Sequence, residues 1–385
     1  MNNQKIIAIF TSARSEYGLL KPVMERLEKS NKFKTKLLVG GAHLLQEQGH
    51  TIDEIIEDGF TIDHQFPYAS ADINRESIVQ SNGLLQIQLA DYFSQNKIDL
   101  IIVVGDRSEL MPVVSSAMLL EIPIAHFSGG EVTEGSTDNQ VRHAVTKMSH
   151  IHFPATEIYK SNILRMGEEE WRICVSGEPG LDSILSMNFP NKEELFISLG
   201  LNPQKKTILA TLHPETIENE ITTDFIHNLI NSILLNNEFQ LLFTASNLDY
   251  GGTTINEIIE KLSLENDNLI FVKSLGKTRY YSMLKFADIL IGNSSSGLIE
   301  AQSFILPVLN IGKRQHGRLR NKNVLDVSTD VNEILKVLEY ADSIDFRKSI
   351  SLEKNIYGDG KACERAISFL ESINFNELNY KKSTF

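Results

Sequence analysis

Acids, bases and small-residue turns follow short apolar runs at intervals along this chain. That is where acid–base chemistry beside a bound anion would be carried out. After Leu100–Val104 comes Gly105-Asp106-Arg107-Ser108-Glu109, an acid and a base next to each other. Asp106 is either a proton-transfer group or an N-cap for the helix that follows. After Ile124–His126 comes the richest stretch, Ser128-Gly129-Gly130-Glu131 through Asp138, Arg142 and His143. Adjacent glycines let a backbone approach a ligand closely, which favours a chemical role for Glu131. Asp138 and Arg142 are four residues apart, so a helix-surface ion pair is their plain alternative.

Other groups suit an anion. Thr11–Gly18 carries Arg14 into a helix N-terminus, where a phosphate is favoured. Its plain alternative is a solvated arginine. In the second half, His213 ends an apolar run, as a proton carrier, a phosphate ligand or a helix cap. Asn247 either bonds a ligand or closes a turn. Ser294 and Ser295 lie in a small-residue loop that suits a diphosphate, and Glu300 one turn on suits a ribose diol. A Ser-rich N-cap is the alternative there.

Several chemistries lack their motifs. There is no HExxH, no GxSxG, no GxxxxGK[ST], and no GxGxxG after the first apolar run. The ten histidines do not fall into metal-ligand spacings, so no metal is expected. His150 and His152 flank Ile151 and read as sheet or core residues.

These groups need a scaffold to position them. Runs at Lys5–Phe10, Thr35–Val39, Leu100–Val104, Ile124–His126 and Ile151–Pro154 read as buried parallel strands. Helical patterns at Gly18–Lys29, Ile78–Gln95 and Leu110–Leu120 separate them. A Ser176-Gly177-Glu178-Pro179-Gly180 break follows, and the alternation restarts with Thr207–Thr211, Phe239–Thr244, Leu269–Val272, Ile289–Gly292 and Pro307–Asn310. The expectation is an α/β chain of two Rossmann-like domains facing a cleft, hinged near 177–182. Residues 1–176 form the first and 177–360 the second. A helix in 361–385 crosses back toward the first, and the Lys381–Phe385 tail frays.

Composition narrows the partners. The chain has 385 residues and a formal charge of −13, which argues against general nucleic-acid binding. Two cysteines outside any CxxC motif point away from a disulfide framework and toward a reducing compartment. No apolar run is long enough to span a bilayer, and the first one lacks a signal-peptide cleavage site. The expected location is the cytoplasm.

Taken in order, the motifs resemble the hydrolysing UDP-N-acetylglucosamine 2-epimerases, in particular the branch serving sialic- and legionaminic-acid-type sugars. They are Arg14–Gly18, Gly105-Asp106-Arg107, Gly129–Val132, Asp138 through Arg142-His143, His213-Pro214, Gly292–Ser295 and Gly312-Lys313-Arg314-Gln315. The resemblance spans about residues 1–375. It implies a GT-B-like architecture, a UDP-sugar substrate, a UDP product, no cofactor and a homo-oligomer, dimer or tetramer. It also implies catalytic roles for Asp106, Glu131, Asp138 and His213. Substrate would be held by Arg14, Arg107, Arg142, His143, Asn247, Ser294, Ser295, Glu300 and Arg314.

The implied chemistry is physically coherent. The C2 hydrogen of a hexose is not next to a carbonyl, so departing UDP must develop positive charge at C1 that carboxylates stabilise. Inversion at C2 needs proton transfer on both faces, hence more than one acid. The first expectation is UDP-N-acetylglucosamine as substrate and N-acetylmannosamine as product. The alternatives are the same reaction on a UDP-2,4-diacetamido-2,4,6-trideoxyglucose, a GT-B glycosyltransferase, or a nucleotide-sugar sensor without turnover.

Overall fold

In a computed structural model, residues 4–71, 74–133, 137–214, 221–235, 237–246, 252–382 and 384 are described. Strands β1 (Lys5–Thr11), β2 (Phe33–Gly40), β3 (Ile62–Phe66), β4 (Leu100–Val104), β5 (Ile124–Phe127) and β6 (Ile151–Phe153) form one sheet. Strands β7 (Lys206–Thr211), β8 (Phe239–Thr244), β9 (Leu269–Val272), β10 (Ile289–Gly292), β11 (Val308–Ile311) and β12 (Val324–Val327) form the other. The orders are β3-β2-β1-β4-β5-β6 and β12-β11-β10-β7-β8-β9. The described pairings are parallel, for example Ile7 opposite Leu100 and Ile291 opposite Ala210.

Central strands are mostly apolar because helices cover both sheet faces; every residue of β4 is buried. In the first sheet, Ile7, Ile9 and Val39 pack against Leu20, Val23 and Leu27 on one face. Ala8, Phe10 and Leu38 pack against Leu85, Leu89 and Val113 on the other. The second sheet is likewise clothed on both faces.

The chain divides into two compact units. The first comprises Met1–Glu131, Thr137–Ser183 and Tyr357–Phe385; the second comprises Val132–Ser136 and Ile184–Ile356. In the first, the strand order reverses between β1 and β4; in the second, between β7 and β10. Loops leaving such neighbours diverge to opposite faces and open a crevice for ligands. Arg14, Asp106 and Arg107 follow one such pair, and His213 and Ser294 follow the other.

The helix Ala362–Ser372 places Cys363, Ala366, Ile367 and Leu370 on one face, at helical spacing, in the first unit's core. Two expectations are corrected. The first helix begins at Arg14 rather than Gly18, because Glu16 folds back on the turn before it. The tail does not fray at Lys381, whose ammonium donates to the carbonyls of Lys147 (2.9 Å) and Ser149 (2.6 Å) and lies 2.8 Å from Glu168. His150, just ahead of β6, and His152, within it, are both buried, as expected of core or sheet residues.

Candidate active site

In the first unit, the helix Thr137–Met148 buries Arg142, Val145 and Thr146 on one face. Arg142 is 3% exposed and lies under the ends of β4 and β5. Its Nη2 bonds the carboxylate of Asp106. Its Nη1 lies 2.9 Å from Glu131 Oε2 and donates to the Ser128 carbonyl at 2.8 Å. Burial opposes the guanidinium's charge, but Glu131 and Asp106 outweigh it, and the pKa rises. Two carboxylates on neighbouring strand ends are thereby held by one fixed cation.

The support beneath them is equally specific. His126, fully buried in β5, is pushed down to about 3, chiefly by burial. It is therefore neutral, and its Nε2 donates to the Gly105 carbonyl at 2.8 Å. That bond steadies the turn carrying Asp106. A Cβ at Gly129 would stand 2.9 Å from His126 Nδ1, and one at Gly130 would stand 2.5 Å from the Tyr159 carbonyl. The paired glycines thus answer to the protein's own packing, whereas the sequence suggested approach to a ligand.

Other named residues of this unit are placed differently. Asp106 does not cap the next helix, whose N-cap is Glu109. Asp138 is exposed on the first turn of its helix, and Arg142 takes Asp106 and Glu131 as its carboxylate partners instead. Nδ1 of His143 is buried without a hydrogen-bond partner; burial and then Arg142 push its pKa down. Arg107 pairs with Glu109 at 3.0 Å, and Arg14 with Glu54 at 3.1 Å, both partly exposed. Glu16, absent from the candidates, is buried between them in sequence and accepts from Ser12 N (2.6 Å), Ser12 Oγ (2.8 Å) and Ala13 N (3.2 Å).

In the second unit, Asn293 is fully buried and clamps His213. Its Oδ1 accepts from His213 N at 2.7 Å, and its Nδ2 donates to the His213 carbonyl at 2.8 Å. The His213 ring lies 3.3 Å from Ser246 Oγ through Nδ1. Arg314 (3.1 Å) and Gln315 (2.9 Å) both donate to the Asn293 carbonyl. Ser294 and Ser295 follow, half-buried. Glu300 is bonded by Ser296 Oγ and, at 3.4 Å, by Tyr281 Oη; burial raises its pKa. Asn247 lies outside the described residues. Asn293 and Gln315 were absent from the candidate list, although Asn293 directly follows an apolar run.

Two doubly wound units, each with its polar groups at its own strand-order reversal, define the GT-B-like class of α/β proteins. The family described as UDP-N-acetylglucosamine 2-epimerase matches residues 25–371. The GDP/UDP-N,N'-diacetylbacillosamine 2-epimerase (hydrolyzing) of Campylobacter jejuni is 35% identical over 348 residues, covering 90% of each chain. The UDP-N,N'-diacetylbacillosamine 2-epimerase (hydrolyzing) of Legionella pneumophila is 35% identical over 370 residues, covering 96% of each. The structure of UDP-GlcNAc 2-epimerase from Neisseria meningitidis bound to UDP-GlcNAc superposes with a TM-score of 0.81 at 19% identity, covering 96% of this chain and 100% of that one.

The chain belongs to the UDP-N-acetylglucosamine 2-epimerase family, and within it is a hydrolysing UDP-sugar 2-epimerase.

Proposed function

We propose that the substrate is UDP-2,4-diacetamido-2,4,6-trideoxyglucose and that the products are UDP and the free sugar inverted at C2. The observation that carries this reading is the likeness, at 35% identity across nine-tenths or more of each chain, to two enzymes named for N,N'-diacetylbacillosamine donors. UDP-N-acetylglucosamine, the first expectation from sequence, becomes the second candidate.

Asp106 and Glu131 act as proton-transfer groups, with Asp138 as the third acid and His213 assisting. One acid takes the C2 proton as the C1–O bond breaks and UDP leaves with its electron pair, giving a glycal. Water then adds its oxygen to C1, and C2 receives a proton on the opposite face. Arg142 holds Asp106 and Glu131 in place. His143, next to Arg142 on the same helix, contacts the substrate. Ser294, Ser295, Asn247, Glu300, Arg14, Arg107 and Arg314 bind the nucleotide, and the Asn293 clamp presets His213 and the serine loop.

The test is incubation of the pure protein with each donor in deuterated water, without acceptor. Release of UDP with deuterium at C2, faster from the diacetamido donor, is expected. Preference for UDP-N-acetylglucosamine would overturn the substrate. Release of UDP without deuterium at C2 would overturn the mechanism. No release without an acceptor would favour a glycosyltransferase.

A further inference from the structure

We propose that Glu178 is a positioning residue of this site, acting through Ser128 on the seat of Arg142. The proposal rests on the reading of Asp106 and Glu131 as the reacting acids. Ser128 directly follows β5 and has a φ of +60°, a left-handed conformation that non-glycine residues seldom adopt. Such a residue persists only where its surroundings hold it there. What holds it on the side-chain side is Glu178, whose Oε2 accepts from Ser128 Oγ at 3.1 Å. On the backbone side, the Ser128 carbonyl accepts from Arg142 Nη1 at 2.8 Å. The next three residues are Gly129, Gly130 and Glu131, so the turn set at Ser128 also aims Glu131.

The choice of a carboxylate is informative. Glu178 is 3% exposed, and a carboxylate accepts from Ser128 more strongly than a neutral amide would. Burying a charge is costly unless a countercharge uses it. Arg142 supplies one, since Glu178 joins Glu131 and Asp106 in favouring its charged form. Glu178 is itself firmly held. Its backbone N–H donates to the Tyr357 carbonyl at 2.7 Å, and Arg365 Nε donates to the Ser176 carbonyl at 2.8 Å. A Cβ at Gly177 would stand 3.2 Å from the same Tyr357 carbonyl. Glu178 therefore joins the segment where the chain leaves the first unit to the segment where it returns, and couples both to the acids. Sequence reading saw in these residues only a break between domains.

The experiment compares wild type, Glu178→Gln, Ser128→Gly and the double variant on the UDP-sugar that wild type turns over. Glu178→Gln is expected to lower kcat roughly tenfold, as a misplaced acid does, with KM changed by less than about twofold. In the Ser128→Gly background, where glycine adopts the turn unaided, the same change is expected to cost much less. An unchanged kcat, a loss confined to KM, or full additivity would overturn the proposal. Should wild type turn over no UDP-sugar, the proposed function fails on its own account. Amide exchange across residues 124–133 then still judges Glu178: faster exchange in Glu178→Gln supports its hold on the turn, and unchanged exchange overturns it.

Discussion

Removing the guanidinium of Arg142 would leave two carboxylates facing each other with no cation between them. Breaking a buried pair by deleting one partner typically costs about 3–5 kcal/mol. Arg142→Ala is expected to lose that order of stability in urea unfolding as well as its turnover. Asp106→Asn and Glu131→Gln are milder tests, since each removes a charge and keeps the shape. Both should lower turnover by about a hundredfold or more, as general acid–base groups do, with an unchanged circular dichroism spectrum. Wild-type rates in both would remove these residues from the mechanism.

Glu16 carries a pH prediction at the same scale. Burial pushes its carboxyl from 4.5 up to about 7, against the pull of Arg107 and the bonds from Ser12. The folded state then holds the proton more tightly than the unfolded one. The associated stability is complete below the ordinary value and is lost as pH rises through about 7. Relative to Glu16→Gln, the wild-type protein should lose about 2–3 kcal/mol between about pH 4.5 and 8. Urea midpoints measured at both ends check this, and a gap that stays constant would show that the carboxyl does not titrate in the window.

At the scale of elements, both sites depend on how closely neighbouring strands end. The φ of Gly292 is +145°, and a Cβ there would fall 1.8 Å from the Thr211 carbonyl oxygen on the paired strand β7. Gly292→Ala cannot be accommodated without parting β7 from β10, and little soluble protein is expected from its expression. Asn293→Ala is less severe. It removes two bonds to the His213 backbone, costs about 1–3 kcal/mol, and should weaken UDP binding measured by calorimetry. Unaltered UDP affinity would separate the clamp from the nucleotide.

Legibility followed burial. Interior strands such as β4 and β10 stand out as apolar runs because both their faces are covered. Strands β3 and β12 went unread. They are sheet edges, and β3, Ile-Asp-His-Gln-Phe, exposes its three middle residues. Asp106 could be picked out because it stands just past a strand, and Glu131 because it follows paired glycines. Their union through Arg142 could not, because the helical spacing from Asp138 to Arg142 offered a simpler local pair. Glu178 and Asn293 were hidden for a related reason: their partners lie 50 and 80 residues away in sequence.

At the scale of the whole molecule, the segment from Leu378 to Lys381 is tied into the fold. Arg172, fully buried, donates to the carbonyls of Leu378 (3.0 Å) and Tyr380 (2.6 Å). Glu168 would be pushed up by its burial, but bonds from His152, Lys147 and Lys381 prevail and hold it down to about 2. Lys381→Ala removes one of the two lysine ammoniums from a carboxylate with no exposed surface. It should lower the unfolding free energy at neutral pH by about 2–3 kcal/mol, as expected for a lost charged hydrogen bond. An unchanged midpoint would mean that Lys147 and His152 suffice.

The route of the chain has a consequence for biosynthesis. The stretch Ile184–Ile356 has nearly all its own core partners as soon as it is made, whereas the apolar side of the first helix waits for Cys363, Ala366, Ile367 and Leu370. Domains tend to fold as units during translation. Here the amino-terminal half emerges from the ribosome first yet is finished last, and its uncovered flank is where a nascent-chain chaperone would find purchase.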